Sequence, residues 1–135
     1  IRRKIDVGQY VIERGEKFIA IKPFASRYEW EIHILPLSQH ADFMTVSEED
    51  MADFSRVLKR TMARLDEVIF GVQYKYFLHY EPHDRDMQTN TASYHWHLEI
   101  TPRTSIPTGF ELGSGLFFNT ISPEDAAEQL RNADI

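Results

Sequence analysis

Residues 94–100 of the chain read Tyr-His-Trp-His-Leu-Glu-Ile, and this stretch decides the fold. Polar and apolar side chains alternate with a period of two, which predicts a β-strand that has one buried and one polar face. The polar face carries His95, His97 and Glu99. Histidines two residues apart on a strand stand roughly 6.5 Å apart, close enough to bind one metal ion or to act on one phosphate. The stretch therefore predicts a chemical site on a sheet.

The composition of the 135-residue chain fits a single domain, residues 1–135, of globular character, with 42% hydrophobic residues. The net charge of -6 argues against a nucleic-acid partner. Because the chain has no cysteine, a metal ion would need histidine and carboxylate ligands. No apolar run approaches the roughly 20 residues of a membrane span, and the start does not resemble a signal peptide. We therefore expect a cytoplasmic protein without a membrane partner.

Four further strands are expected around the opening one. Residues 9–14 and 17–23 are rich in Tyr, Val, Ile and Phe and read as a hairpin that turns at Gly15-Glu16. Residues 30–35 alternate and end before Pro36, which predicts a third strand. Residues 74–78 predict the fourth, so that residues 94–100 are the fifth.

One long helix and one short helix complete the expected architecture. From Ser47, a suitable N-cap, apolar residues recur at helical spacing until Gly71. Ser122 begins a short helix that ends near Arg131. Residues 116–118 are apolar and are expected to add a sixth strand. We therefore predict an α+β fold: an antiparallel five- to six-stranded sheet with the helices on one face.

The candidate site gains weight because several polar residues are predicted to converge. A polar strand face alone is more often just solvated. Here, however, His79 ends the neighbouring predicted strand and His40 follows the exit of another. If those strands are adjacent, both side chains join His95, His97 and Glu99 at one end of the sheet. This convergence favours a functional cluster over a solvated face.

Two other features have structural interpretations that compete with functional ones. His33 points away from the apolar side chains of its strand and is predicted to be a solvated or edge histidine. Residues 109–115 are glycine-rich but precede an apolar strand rather than a helix, so a phosphate-binding loop is not indicated. They are predicted to form a turn. Alternatively, Glu111, which lies between glycines that allow a ligand to approach the backbone closely, accepts hydrogen bonds from substrate hydroxyls.

The residues around the opening stretch carry a family resemblance. His95-Trp96-His97-Leu98-Glu99, with the earlier Leu35-Pro36-Leu37-Ser38-Gln39-His40 and the following Pro102-Arg103, resembles the histidine triad superfamily. Glu99 stands in place of the third histidine. The resemblance extends to the C-terminal half of the galactose-1-phosphate uridylyltransferases through residues 23–27, 94–103, 109–115 and 122–127.

This resemblance implies that residues 1–135 form a histidine-triad-like domain, the C-terminal half of a longer two-domain chain. The family's nucleophile lies in a His-Pro-His-Gly-Gln motif of the N-terminal half, which these residues lack. The resemblance therefore implies no catalytic residue here, and the chain alone is expected to be inactive. Carried over by position, the metal ligands are His79, His95, His97 and His40, and the cofactor is zinc or iron.

The resemblance also implies substrates and partners. The family transfers a nucleotidyl group between a nucleotide sugar and a hexose 1-phosphate. By position, Phe110, Glu111 and Asn119 are the candidate residues of the hexose site. The missing N-terminal half and a second copy of the chain, in a homodimer, are the expected protein partners.

Two other functions remain open. The first is a stand-alone histidine triad nucleotide hydrolase or transferase, with His97 as the nucleophile. Glu99 counts against it, because a carboxylate would repel the phosphate. The second is a noncatalytic, metal-stabilised interaction domain that pairs through an exposed strand.

Overall fold

A computed structural model describes residues 8–39, 42–80 and 95–135 of the chain. Five antiparallel strands form one sheet in the order β1-β2-β3-β5-β4. The strands are β1 Val11–Arg14, β2 Phe18–Ile21, β3 Ile32–Pro36, β4 Tyr74–His79 and β5 His97–Pro102. The helices are α1 Glu48–Val68, α2 Gly109–Ser114 and α3 Pro123–Arg131, and Gly8–Tyr10 and Phe43–Thr45 form 3₁₀ turns. The predicted α+β architecture, with one long helix and a short C-terminal helix, is confirmed.

Helix α1 begins where the sequence predicts. The Ser47 side chain accepts a hydrogen bond from the Asp50 amide at 3.1 Å and caps the helix. Acidic residues occupy the first turn, where their negative charge interacts favourably with the positive end of the helix dipole. Gly71, with a φ of +70°, follows the helix end. Within the described part of the chain, no helix is both long and apolar enough to span a bilayer.

Asp53 on α1 connects the helix to the β1-β2 hairpin. Its carboxylate accepts hydrogen bonds from the amides of Lys17 at 2.8 Å and Phe18 at 3.2 Å. The turn approaches the helix so closely that a Cβ atom at Gly15 would lie 2.5 Å from an Asp53 oxygen. The hairpin therefore needs glycine at this position in order to dock.

Trp96 is the centre of the core on the helix-covered face of the sheet. Its side chain is fully buried, and its ring lies 5.0–5.6 Å from the rings of Phe18, Phe43 and Phe54. Alternate residues of the opening stretch, Leu98 and Ile100, are buried in the same core. The opposite face has a smaller apolar cluster and leaves room for polar residues.

The prediction for the segment after β5 is wrong. Residues 109–114 form helix α2 rather than a turn, because Thr108 and Glu111 make a capping box that starts a helix despite the glycines. Gly115, with a φ of +71°, ends it in the left-handed conformation. Residues 116–118 lie outside the sheet, and Phe118 is 68% exposed. The described sheet therefore has five strands.

Candidate functional site

The polar face of β5 lies between polar residues of β3 and β4. In the antiparallel register, His79 pairs with His97 and His33 pairs with Glu99. Because paired residues point to the same side of a sheet, four chemically active side chains meet on the face opposite the helices. We call His33, His79, His97, Glu99 and the neighbouring Glu31 the histidine face.

His79, His97 and Glu99 lie close enough to bind one metal ion. The two imidazole rings stack at a centroid distance of 4.9 Å. The His79 Nε2 atom is 3.3 Å from a Glu99 carboxylate oxygen. One ligand atom from each of the three residues lies within 4.8 Å of the other two. Two nitrogen donors and one oxygen donor form a set that zinc or iron accepts.

His97 is held as a neutral imidazole with a defined orientation. Its Nδ1 lies 3.2 Å from the His95 carbonyl oxygen, which assigns the proton to Nδ1 and leaves Nε2 as the acceptor nitrogen. Burial lowers the pKa of His97, and the nearby His33 and His79 lower this pKa further. A neutral imidazole fixed through its other nitrogen is suited to metal binding or to nucleophilic attack.

His33 belongs to the site, so the prediction of a solvated or edge histidine is wrong. Strand β3 lies between β2 and β5, and only 22% of the His33 side chain is exposed. Its Nε2 lies 3.0 Å from a Glu31 oxygen and 3.9 Å from a Glu99 oxygen. The sequence did contain a signal, because Glu31 and His33 alternate with apolar residues as the opening stretch does.

Glu31 is a buried carboxylate kept in its charged form. Burial alone would raise its pKa, but hydrogen bonds from His33 and from the amides of Arg27 and Tyr28 together lower the pKa of Glu31. The carboxylate oxygen that accepts from Arg27 is distinct from the one that faces His33. One Glu31 oxygen is therefore directed into the histidine face.

Arg27 is a site residue that the sequence did not reveal. Its guanidinium forms an ion pair with Glu99, whose side chain is only 7% exposed. Arg27 lies in the loop between β2 and β3, where no periodicity indicates its direction. The available signals were the need of a buried carboxylate for a cationic partner and the place of Arg27 in residues 23–27, one of the segments that carry the family resemblance.

The remaining predicted metal ligands lie apart from this group or outside the described residues. The His95 Nε2 atom donates to the Pro36 carbonyl oxygen at 2.8 Å, which holds the chain before β5 against the end of β3. His40 lies outside the described residues. His95, His33 and His97 also line a cleft of about 210 Å³, which Leu35 and Pro23 complete on its apolar side.

The predicted hexose residues lie on the segment after β5. Phe110 is 55% exposed and contacts the Phe118 ring. Glu111 accepts hydrogen bonds from the amides of Thr108 and Phe118, and these lower the pKa of its carboxyl. The Asn119 side chain donates to the Ser26 carbonyl at 2.9 Å. Asn119 thus connects this segment to the loop that carries Arg27.

The sheet order, the long helix and the histidine face define a histidine-triad-like fold. A zinc-bound histidine triad family protein from Mycobacterium smegmatis superposes with a TM-score of 0.61 over 92% of this chain and 82% of that chain, at 19% identity. A Hit-like protein from Bartonella henselae gives 0.60 at 14% identity. At such identities the likeness shows the fold alone. No family model matches the sequence.

Sequence relatives make the relationship more specific. The chain is 29% identical to ADP-glucose phosphorylase from Arabidopsis thaliana over 93% of its own length, and 28% identical to galactose-1-phosphate uridylyltransferase from Thermotoga maritima over 99%. A crystal structure of the Arabidopsis thaliana phosphorylase with bound ADP-glucose superposes with a TM-score of 0.88. The chain is thus a homologue of these two enzymes, as its resemblance implied. It spans only 36% and 46% of their lengths.

Proposed function

We propose that this chain is the C-terminal histidine-triad-like domain of a galactose-1-phosphate uridylyltransferase-type nucleotidyltransferase. In this proposal it supplies a metal site and part of the hexose phosphate site to the whole enzyme. The observation that carries the proposal is the convergence of His79, His97 and Glu99, with donor atoms within 4.8 Å of one another. Glu99 stands where a histidine triad protein has its third histidine, so the face is suited to binding a cation.

The metal would be structural in this proposal. His79 lies on β4 and His97 and Glu99 lie on β5, so an ion would cross-link the edge strand to its neighbour. Zinc or iron would supply a fixed positive charge and a rigid connection there. His95 and His40 remain predicted ligands, and neither belongs to the described three-residue group.

The proposed substrates are a nucleotide sugar and a hexose 1-phosphate. They are supported by the names of the relatives and by the ADP-glucose bound to the Arabidopsis thaliana phosphorylase. Phe110, Glu111 and Asn119 remain the proposed hexose residues. The nucleophile is assigned to an N-terminal half, a homodimer is the proposed assembly, and the cytoplasm is the proposed compartment. Alone, this chain would be inactive.

A second candidate is a stand-alone hydrolase or transferase in which His97 attacks phosphorus. The neutral state of His97 and its acceptor Nε2 favour this candidate. The Glu99 charge opposes it, although Arg27 offsets part of that charge.

A third candidate, the interaction domain, is favoured by the position of β4 at the edge of the described sheet. Tyr76 on that strand is 67% exposed.

One experiment separates the first two candidates. The chain is incubated with ADP-glucose or UDP-glucose labelled at the α-phosphate, and then assayed for hexose 1-phosphate exchange and for label retained on protein. We expect no exchange and no labelled histidine, but an ion of zinc or iron at His79, His97 and Glu99 that is lost in His97→Gln. Glu29→Gln, outside the histidine face, is the matched control and should keep the metal. A nucleotidyl group trapped on His97 would instead establish the second candidate.

A further inference from the structure

The histidine face contains a second group of ligand atoms beside the first. Glu31, His33 and Glu99 also offer donor atoms that all lie within 4.8 Å of one another. Glu31 and His33 lie on β3 and its lead-in, on the opposite side of β5 from His79. Glu99 is therefore common to both groups and lies between them.

The distances in this second group match those between ligands of one ion. Ligand atoms that each stand about 2.1 Å from a metal ion lie about 3–4 Å apart. The His33 Nε2 atom is 3.0 Å from Glu31 Oε1 and 3.9 Å from Glu99 Oε2. The latter distance is too long for a hydrogen bond. The Glu31–His33 contact is also a hydrogen bond, whereas the His33–Glu99 separation lies beyond hydrogen-bond range and within the range expected for two ligands of one ion.

The orientation of Glu31 favours the same conclusion. The Glu31 side chain is 4% exposed, and two backbone amides hold its Oε2 atom in place. Its Oε1 atom is thereby directed at His33, inside the histidine face. Such a supported carboxylate is the arrangement that orients metal ligands in proteins.

We propose that Glu31, His33 and Glu99 form a second divalent-cation site, joined to the first through the shared Glu99 carboxylate. The proposal rests on the proposed function for the ion at His79, His97 and Glu99. It adds an ion with two carboxylates and one imidazole as ligands. Because oxygen ligands suit harder cations, this site should prefer Mn²⁺ more strongly than the first site does.

The test is the number of metal ions bound to each chain. Metal-stripped protein is dialysed against Zn²⁺ or Mn²⁺, and the bound metal is quantified by elemental mass spectrometry. We expect two equivalents in the wild type and in Glu29→Gln, and one equivalent in His33→Leu and Glu31→Gln. His79→Leu should also keep one. Circular dichroism of each variant establishes that it is folded.

Each other result has a distinct meaning. One ion that is lost in His79→Leu but kept in His33→Leu would overturn the second site and leave the proposed function standing. One ion that is lost in His33→Leu but kept in His79→Leu would support the second site and overturn the proposed metal role of His79. One ion lost in both variants would mean a single shared site and would overturn this proposal.

A second measurement needs no variant. Two Mn²⁺ ions that share a carboxylate are magnetically coupled, so the electron paramagnetic resonance spectrum of the loaded wild type should show a coupled signal. A spectrum of isolated Mn²⁺ only would contradict the shared Glu99.

Discussion

The two faces of β5 are built from one alternating stretch, yet different forces hold them. On the helix-covered face, Trp96 and its alternate neighbours are buried among aromatic rings. On the histidine face, His97 and Glu99 contact charged or polar groups that come from β3, β4 and a loop. The first face is stabilised by removal of apolar surface from water, whereas the second gathers charges that need partners. Alternation in the sequence predicts that β5 has two different faces. It accounts for the stability of the packed face only, because the partners of the charged residues come from other elements.

The largest expected effect comes from breaking the packed face. Replacing Trp96 with alanine should lower the free energy of unfolding by about 3–5 kcal/mol, because it empties the centre of the core. Urea denaturation followed by circular dichroism measures the change. Tyr76→Ala, at an aromatic that is 67% exposed on β4, is the control and should change stability by about 0.5 kcal/mol. Equal losses in the two variants would show that Trp96 is not the main packing centre.

A smaller effect is expected on the histidine face, and only when metal is present. At a free zinc concentration of 100 times its dissociation constant, the ion bound by His79, His97 and Glu99 should by itself stabilise the wild type by about 2.7 kcal/mol. His79→Gln should lose most of this gain. Without metal, the same substitution should change stability by about 0.5 kcal/mol, since the His79 side chain is 44% exposed. Thermal unfolding with and without zinc measures both values, and a gain in His79→Gln as large as that of the wild type would count against His79 as a ligand.

The sequence could predict those parts of the fold and site that depend on local pattern. The start of α1, its Ser47 cap and the two faces of β5 all follow from local periodicity and capping. The pairing of His79 with His97 was expected only on the condition that β4 and β5 are neighbours. Alternation places Glu31 and His33 on one face of β3, but the approach of His33 to Glu99 could not be predicted, because it depends on which strands lie on either side of β3. That order is a long-range property of the sheet. Arg27 was missed for a related reason, since loop residues have no period that indicates their direction.

The segment after β5 shows a different limit of sequence reasoning. Its glycines favour a turn, and three apolar residues in succession favour a strand. The capping box of Thr108 and Glu111 outweighs both tendencies at α2. A short hydrogen-bonding pattern was therefore a better guide here than composition.

Lys22, at the start of the loop between β2 and β3, provides the smallest of the predicted effects, and this effect appears as a pH dependence. Lys22 is 1% exposed, and its ammonium donates to Ser26 and to the Tyr28 carbonyl at the base of the loop that carries Arg27. Burial lowers the pKa of Lys22 from 10.5 to about 8, although Glu31 and Glu29 oppose the shift. Between these two values the unfolded chain holds a proton that the folded chain has released. As the pH rises through this range, proton binding stabilises the unfolded state less. The free energy of unfolding therefore increases with pH.

From pH 8 to pH 10, the free energy of unfolding of the wild type should rise by about 2 kcal/mol relative to that of Lys22→Met. Urea denaturation at both pH values measures this difference, because other titrating groups cancel between the two proteins. Lys59→Met, at an exposed lysine on α1, should keep the wild-type pH dependence. If Lys22→Met and the wild type show the same slope, the Lys22 ammonium is solvated and the loop that positions Arg27 over Glu99 is held by other contacts. If the slope disappears only in Lys22→Met, the lowered pKa of the buried Lys22 at the base of this loop is established.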